Sequence, residues 1–358
     1  MKQKRLTFLL LLISNLFCAS AQKWYKPEID LKVEELLSQM TVEEKLGYIG
    51  GIDWMYTKSI DRLGIHRMRM SDGPQGIGTK GKSTAYPATV TLAATWNENL
   101  AYQYGKALGR DCRARNINVI LGPAVNIYRA PMCGRNFEYM GEDPYLTSRI
   151  CVGYIKGVQD QGVMATVKHF VANNSDYDRN NISNDIDERT LNEIYFPAYK
   201  AAIQEAEVGA IMTSYNLMNG IYTTENPWLL KEVLRNQWGF KGLVMSDWGS
   251  THYCVPAARS GLDLEMAGGE KMNPKDMAYY LKTGDVTMDM VDEKVRHILR
   301  ILIAFGFKDG TEADKSIALD DPQSVETALN VAREGLVLLK NENNILPEAF
   351  DPRVADTV

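Results

Sequence analysis

The sequence predicts an α/β chain folded as a (β/α)₈ TIM-type barrel. Three observations predict it. Short apolar runs of strand character alternate with amphipathic helical stretches at the spacing of βα units, which calls for a parallel sheet with right-handed crossovers. The chain has 358 residues, and a barrel of this type uses about 250. Polar residues also gather at the C-terminal ends of the strand candidates: Asp72, Lys168, His169, Ser214, Tyr215, Asp247 and Glu265. In a barrel those ends meet at one mouth, whereas an open doubly wound sheet spreads them along a line.

Residues 1–21 read as a processing signal, with Lys2, Lys4 and Arg5 basic, Leu6 to Phe17 apolar and Ala19-Ser20-Ala21 as a small-x-small cleavage site. This predicts an exported soluble protein, periplasmic or extracellular. A lipid anchor on Cys18 is the alternative, opposed by the bulky Phe17 before it. The barrel is then expected over residues 22–310, and no later apolar run is long enough to span a bilayer.

Within the barrel, Asp30 to Leu46 reads as one or two short helices, and Thr41-Val-Glu-Glu44 has the form of a capping box that starts the second at Val42. Ile65 to Met70 reads as a strand entering the acidic loop Ser71-Asp72-Gly73-Pro74. Asn97 to Arg115 is the clearest helix, with Leu100, Tyr104, Ala107, Leu108 and Cys112 at helical spacing behind a cap-like asparagine. A strand at Ile117 to Leu121 follows, then a polar loop through Gly134-Arg-Asn-Phe-Glu138 and a helix from Tyr145 to Gln161.

Val163 to Phe170 is a strand ending in Lys168-His169, and Glu188 to Ala206 a helix in which Pro197 is expected to make a kink. Strands at Gly209–Tyr215, Gly242–Asp247 and Leu262–Met266 alternate with a proline-started helix at Pro227–Trp238 and a final one at Met288–Ala304.

Composition narrows the function. Lys and Arg total 40 against 45 Asp and Glu, and the absence of a long basic run argues against nucleic acid as a partner. Four cysteines follow the leader (Cys112, Cys133, Cys151 and Cys254), none in a Cys-x-x-Cys pair, so buried free thiols are expected rather than a metal or redox motif. Zinc-protease, phosphate-loop and dinucleotide fingerprints are absent, as is a serine elbow, and no cofactor or metal is expected.

The strand Leu243-Val-Met-Ser246 runs directly into Asp247, Trp248 and Gly249, which is how a buried parallel strand delivers a reactive carboxylate to the open end of a sheet. Each candidate has a plainer role when taken singly. Asp247 could cap the next helix, His169 could be a core histidine, Arg135 and Glu138 could pair within their loop, and Asp72 could serve the turn before Gly73-Pro74. Lys168 resists this treatment, because a lysine at the end of an apolar strand needs an anionic or hydroxyl-rich partner. Together these groups, with Trp54, Trp248, Tyr215 and Tyr253, describe a sugar site: aromatic faces stack on C–H faces and charged groups take hydroxyls.

Seven motifs in order carry a resemblance: Ser71-Asp-Gly-Pro74, Gly134-Arg-Asn-Phe-Glu138, Gly141-Glu-Asp-Pro144, Lys168-His-Phe170, Asp187-Glu-Arg189, Met212-Thr-Ser-Tyr215 and Ser246-Asp-Trp-Gly249. The chain resembles glycoside hydrolase family 3, in its β-glucosidase-like branch, from Val33 to Leu346. The resemblance implies a retaining hydrolase that removes terminal non-reducing β-linked sugars, with Asp247 as the nucleophile. It implies Asp72, Arg135, Lys168 and His169 as holders of the sugar hydroxyls, Met212 and Tyr215 as pocket walls, Trp248 as the aromatic neighbour of the nucleophile, and Arg179 as a further pocket arginine. Glucose is favoured over xylose because Asp72 can address the far end of a hexose.

A retaining mechanism needs a second carboxyl as acid and then base. In this branch it normally comes from an α/β-sandwich domain after the barrel, and residues 311–358 resemble the linker into that domain and its start. The other arrangement in the family, an Asp-His pair after the Lys-His-Phe strand, is replaced here by Val171-Ala-Asn-Asn-Ser-Asp176. The acid/base is therefore expected outside this chain, in a missing domain or partner. The alternatives are a non-catalytic sugar-binding remnant, the same hydrolase acting on β-xylosides, and, less well supported, a barrel enzyme for a phosphorylated substrate.

Overall fold

The computed structural model describes residues 24–78 and 82–344. The leader at 1–21, Cys18 within it, and the end of the expected linker from 345 onward lie outside the described residues. The chain enters through helices Pro27–Gln39 and Val42–Tyr48. The capping box is formed as expected, with Thr41 Oγ1 accepting from the Glu44 N–H and Glu44 from the Thr41 N–H.

Five strands form one sheet: β1 (Met70–Asp72), β2 (Val119–Leu121), β3 (Met164–Phe170), β5 (Ala210–Thr213) and β8 (Leu243–Met245), in the order β1-β2-β3-β5-β8 and all parallel. Every residue of β2, β3, β5 and β8 is buried, as a sheet covered by helices requires. A small second sheet joins β4 (Ser183–Asn184) to the hairpin β6 (Leu217–Met218) and β7 (Ile221–Tyr222). It was not predicted, since two-residue strands have no periodicity to read.

The helices fall where expected at Glu98–Arg113, Pro144–Gln159 and Met288–Ala304, with Asn97, Asp143 and Thr287 as side-chain caps. The first two cross closely at glycines. A Cβ on Gly105 would stand 2.1 Å from the Tyr154 carbonyl oxygen, and one on Gly157 2.1 Å from that of Tyr102. The helix expected across Glu188–Ala206 is divided into a turn at Glu188–Thr190, a π-helical segment Leu191–Tyr195 and a helix that restarts at Pro197, the residue expected to break it.

Two expectations are corrected. The strand expected over 65–70 joins the parallel sheet only at Met70 and otherwise makes isolated antiparallel bridges, Ile65 to Ile60 and Arg69 to Tyr56, because side chains and loop backbone take its hydrogen bonds: Met68 N–H donates to Thr57 Oγ1, Arg69 N–H to Asn118 Oδ1 and Met70 N–H to the Met55 carbonyl. Leu262–Met266 is reduced to parallel bridges, Leu264 to Met245 and Glu265 to Gly50. These bridges prolong the arc of the barrel, whose ladder is not closed by eight strands among the described residues. The segment from 311 contains a helix, Pro322–Gly335, held on the barrel by Arg110–Asp321 at 2.7 Å and Ser324–Asp111 at 2.9 Å.

Cys112, Cys133 and Cys151 are buried free thiols, and Cys254 is free and half-buried. Among the described residues, no helix is long and apolar enough to cross a membrane.

Candidate active site

The C-terminal ends of the five parallel strands, and the loops that follow them, build one polar cavity of about 280 Å³. β8 delivers Asp247 to it. The chain turns immediately afterwards, Ser250 N–H and Oγ–H both donating to the Asp247 carbonyl at 3.1 and 3.0 Å, with Gly249 at a φ of 74°. Asp247 Oδ1 accepts from the Trp248 N–H at 2.7 Å. Its Oδ2 lies 3.6 Å from Arg135 Nη1 and 3.6 Å from His169 Nε2, and is buried with no hydrogen-bond partner. Burial pushes the carboxyl above the ordinary aspartate range, opposed by the charges of Arg135 and Lys168.

Arg135 comes from the loop after β2 and is fixed on two sides: Nε donates to Glu138 Oε1 at 2.5 Å and Nη2 to His169 Nε2 at 2.7 Å. Lys168 and His169 are neighbours on β3, yet both reach that loop. The pairing with β5 shifts between Val167 and Phe170, which re-aims side chains that a regular strand would point to opposite faces. Lys168 Nζ sits 3.1 Å from Asp72 Oδ1 and 3.7 Å from Glu138 Oε2. Burial would raise the Asp72 carboxyl, but Lys168 and Arg135 outweigh it and hold the group below its usual value. Asp72 opens to the mouth, with 61% of its side chain exposed, so its free oxygen can meet a ligand.

The walls are aromatic and cationic. Arg179 stacks its guanidinium 3.9 Å over the Tyr215 ring and lies 3.4 Å from Asp176. Burial and the Asp247 charge raise the Tyr215 phenol, so it stays protonated and can donate. Trp248 Nε1–H donates to the Trp54 carbonyl at 2.8 Å, which ties the loop after Asp247 to a loop where Asp53 and Trp54 have φ of 50° and 67°.

Eight of the nine residues to which the resemblance gives a role line this cavity: Asp72, Arg135, Lys168, Arg179, Met212, Tyr215, Asp247 and Trp248. His169 does not. It is fully buried behind the lining, where it contacts Arg135. Ser214 and Glu265, also at strand ends, are braces: Ser214 bonds to Val171 and Thr223, and Glu265 accepts the N–H groups of Lys271 and Met272. Sequence reasoning missed Asn126, whose side chain bonds only to residue 169 among the described residues, and Met55 and Leu121 in the wall. Glu138 was visible as a partner for Arg135 but not for Lys168. Among the described residues, no group of His, Cys, Asp and Glu side chains is arranged to hold a metal ion.

A family model described as the glycosyl hydrolase family 3 N-terminal domain matches residues 41–301. The chain belongs to glycosyl hydrolase family 3. Among the relatives of this family 3 chain, a beta-glucosidase of Rhizobium radiobacter is 42% identical over 323 residues, covering 88% of this chain and 39% of the relative. Thermostable beta-glucosidase B of Acetivibrio thermocellus is 39% identical over 327 residues, with 88% and 43% covered. Among solved structures, beta-glucosidase 3B from Thermotoga neapolitana in complex with alpha-D-glucose superimposes with a TM-score of 0.80 at 35% identity, covering 87% of this chain and 48% of that one. The beta-glucosidase from Kluyveromyces marxianus in complex with glucose gives a TM-score of 0.82 at 36% identity, with 88% and 39% covered. The family 3 chain thus spans less than half the length of these relatives.

Proposed function

We propose that this chain carries the sugar-holding pocket and the nucleophile of a retaining β-glucosidase acting on terminal non-reducing β-D-glucosyl groups. The observation that carries the reading is the convergence on Asp247: a buried carboxylate with one unpartnered oxygen at the wall of a small cavity, facing Arg135. Asp247 Oδ2 attacks the anomeric carbon, the bond to the leaving oxygen breaks, and a covalent glycosyl ester forms. Water then attacks that carbon and frees the carboxylate with the configuration retained.

Arg135 and Lys168 oppose the rise that burial imposes on the nucleophile's carboxyl. Asp72, held ionised by Lys168, accepts from hydroxyls at the far end of the ring, while Trp54 and Trp248 offer faces at the lip. The leaving oxygen needs a proton from a second carboxyl roughly 5–5.5 Å from the nucleophile. Asp72, tied to Lys168 with a lowered pKa, is unsuited to that task, and the donor is proposed to come from outside the cavity described here. The names of the relatives and the glucose bound in two structural neighbours support the sugar. The leader-like residues 1–21 support export.

The test is covalent trapping. Incubation with an activated aryl 2-deoxy-2-fluoro-β-glucoside is expected to raise the intact mass by one fluoroglucosyl group, mapped by peptide sequencing to Asp247 and absent in Asp247→Ala. A folded wild-type chain that gains no mass overturns the reading.

A further inference from the structure

We propose that Asn126 is a positioning residue that fixes the His169 proton on Nδ1, leaving Nε2 bare to accept from Arg135; only the catalytic consequence of this rests on the glucosidase reading above. The orientation of the Asn126 amide is set by the backbone of residue 169. Its Oδ1 accepts from the His169 N–H at 2.9 Å and its Nδ2 donates to the His169 carbonyl at 3.0 Å. Turning the amide over would set donor against donor and acceptor against acceptor. The atom 3.2 Å from His169 Nδ1 is therefore an oxygen, and Nδ1 must hold the proton to bond with it.

The opposite side of the ring gives the same answer independently. Nε2 lies 2.7 Å from Arg135 Nη2, and a guanidinium has no acceptor, so Nε2 must be unprotonated. The 3.6 Å approach of Nε2 to Asp247 is then a contact between two acceptors, kept apart and bridged by Arg135. The groups facing the imidazole are the cations Arg135, Lys168 and Arg179, the Asp247 carboxylate, the edge-on Tyr139 ring at 6.2 Å, and the Tyr199 hydroxyl on the carbonyl of residue 169 at 2.7 Å. Burial and the three cations press the imidazole pKa well below its usual value, which agrees with a ring that stays neutral.

The consequence runs through Arg135. Its Nε is committed to Glu138 and its Nη2 to His169, which leaves Nη1 facing Asp247. An imidazole with its proton on Nε2, or a doubly protonated ring, would oppose an Arg135 N–H and push the guanidinium off its seat. Asn126 thus acts on the nucleophile through two other side chains, with no contact of its own to the cavity.

The experiment is side-chain nitrogen NMR on the intact chain, which has four histidines. In the wild type, His169 is expected to show a protonated Nδ1, a bare Nε2 and no titration between about pH 5 and 9. In Asn126→Asp the carboxylate stabilises imidazolium, so His169 is expected to titrate within that window. The acid limb of glycosyl-enzyme formation should then move upward, with rates down roughly tenfold below the new pKa and recovering above it. A wild-type His169 protonated on Nε2, or titrating near an ordinary histidine, overturns the proposal whether or not the variant folds. So does an Asn126→Asp variant whose His169 is unchanged. If the tautomer is as expected and no glycosyl-enzyme forms, the glucosidase reading fails and the role of Asn126 in the His169–Arg135 contact stands; if the ester forms on a protein with the other tautomer, the reverse holds.

Discussion

Replacing Asp263 with alanine is expected to destabilise the fold by about 3–5 kcal/mol, the cost of stripping one partner from a buried ion pair. Asp263 is 1% exposed and lies where the chain crosses the start of β8. Its Oδ2 accepts from Arg235 Nη2 at 2.6 Å and from the Val244 N–H at 2.8 Å, and its Oδ1 from His297 Nδ1 at 2.7 Å. Scored singly, each charge-assisted bond is worth about 1.5–3 kcal/mol, but the three share one carboxylate and do not add. The larger penalty falls on Arg235, whose guanidinium would keep the Phe240 and Gly242 carbonyls while losing its counter-charge. Burial raises the Asp263 carboxyl, yet His297 and Arg235 outweigh it and hold the group below its usual range. A depressed pKa gives stability that is present above the unfolded value of about 4 and is lost as pH falls through the folded one. Urea unfolding at pH 7 measures the loss, and the gap between wild type and Asp263→Ala should close on acidification. The double variant Asp263→Leu/Arg235→Met should recover much of it. A single-variant loss below about 1 kcal/mol at pH 7 would refute the reasoning.

Three further expectations follow from the site and the helices. Asp72→Ala removes the acceptor held by Lys168 and should lower kcat/KM for an aryl β-glucoside by roughly 10- to 100-fold, read from initial rates. Arg135→Met removes the largest influence opposing burial at Asp247, so the acid limb of fluoroglucosyl trapping should move to higher pH, and an unmoved limb would dissociate Arg135 from the ionisation of Asp247. Gly157→Ala drives a methyl into the Tyr102 carbonyl and should cost about 1–3 kcal/mol or more in chemical denaturation, where an exposed helix glycine would instead gain from the change.

The parts of the fold legible in the sequence are those with a local physical signature. Thr41 with Glu44, Asn97 ahead of its amphipathic run, and the Met288–Ala304 periodicity each identify a helix without reference to the rest of the chain. Strand extent was less legible, because β-pairing depends on which distant backbone lies alongside. Ile65 to Met68 has strand-like residues, but its hydrogen bonds go to Thr57 and neighbouring loops. The cavity lining was read well because charged side chains after apolar strands have few other reasons to be there. Asn126 was not, since an asparagine in a loop has many ordinary uses, and only the folded chain reveals that its side chain makes three bonds to residue 169. The depth of His169 was not legible for the same reason: position on a strand end does not say how far a ring is buried.

The seating of Lys168 among Asp72 and Glu138, and of Arg135 between Glu138 and Asp247, sets positive and negative groups side by side across the cavity. Such a lining is rich in local dipoles and poor in long-range field. On the proposed reading, an uncharged sugar would meet strong directional contacts only on arrival, and dissolved salt would have little to screen. Discrimination in this pocket accordingly rests with orientation at contact distance, where a hydroxyl turned the wrong way faces a donor with a donor.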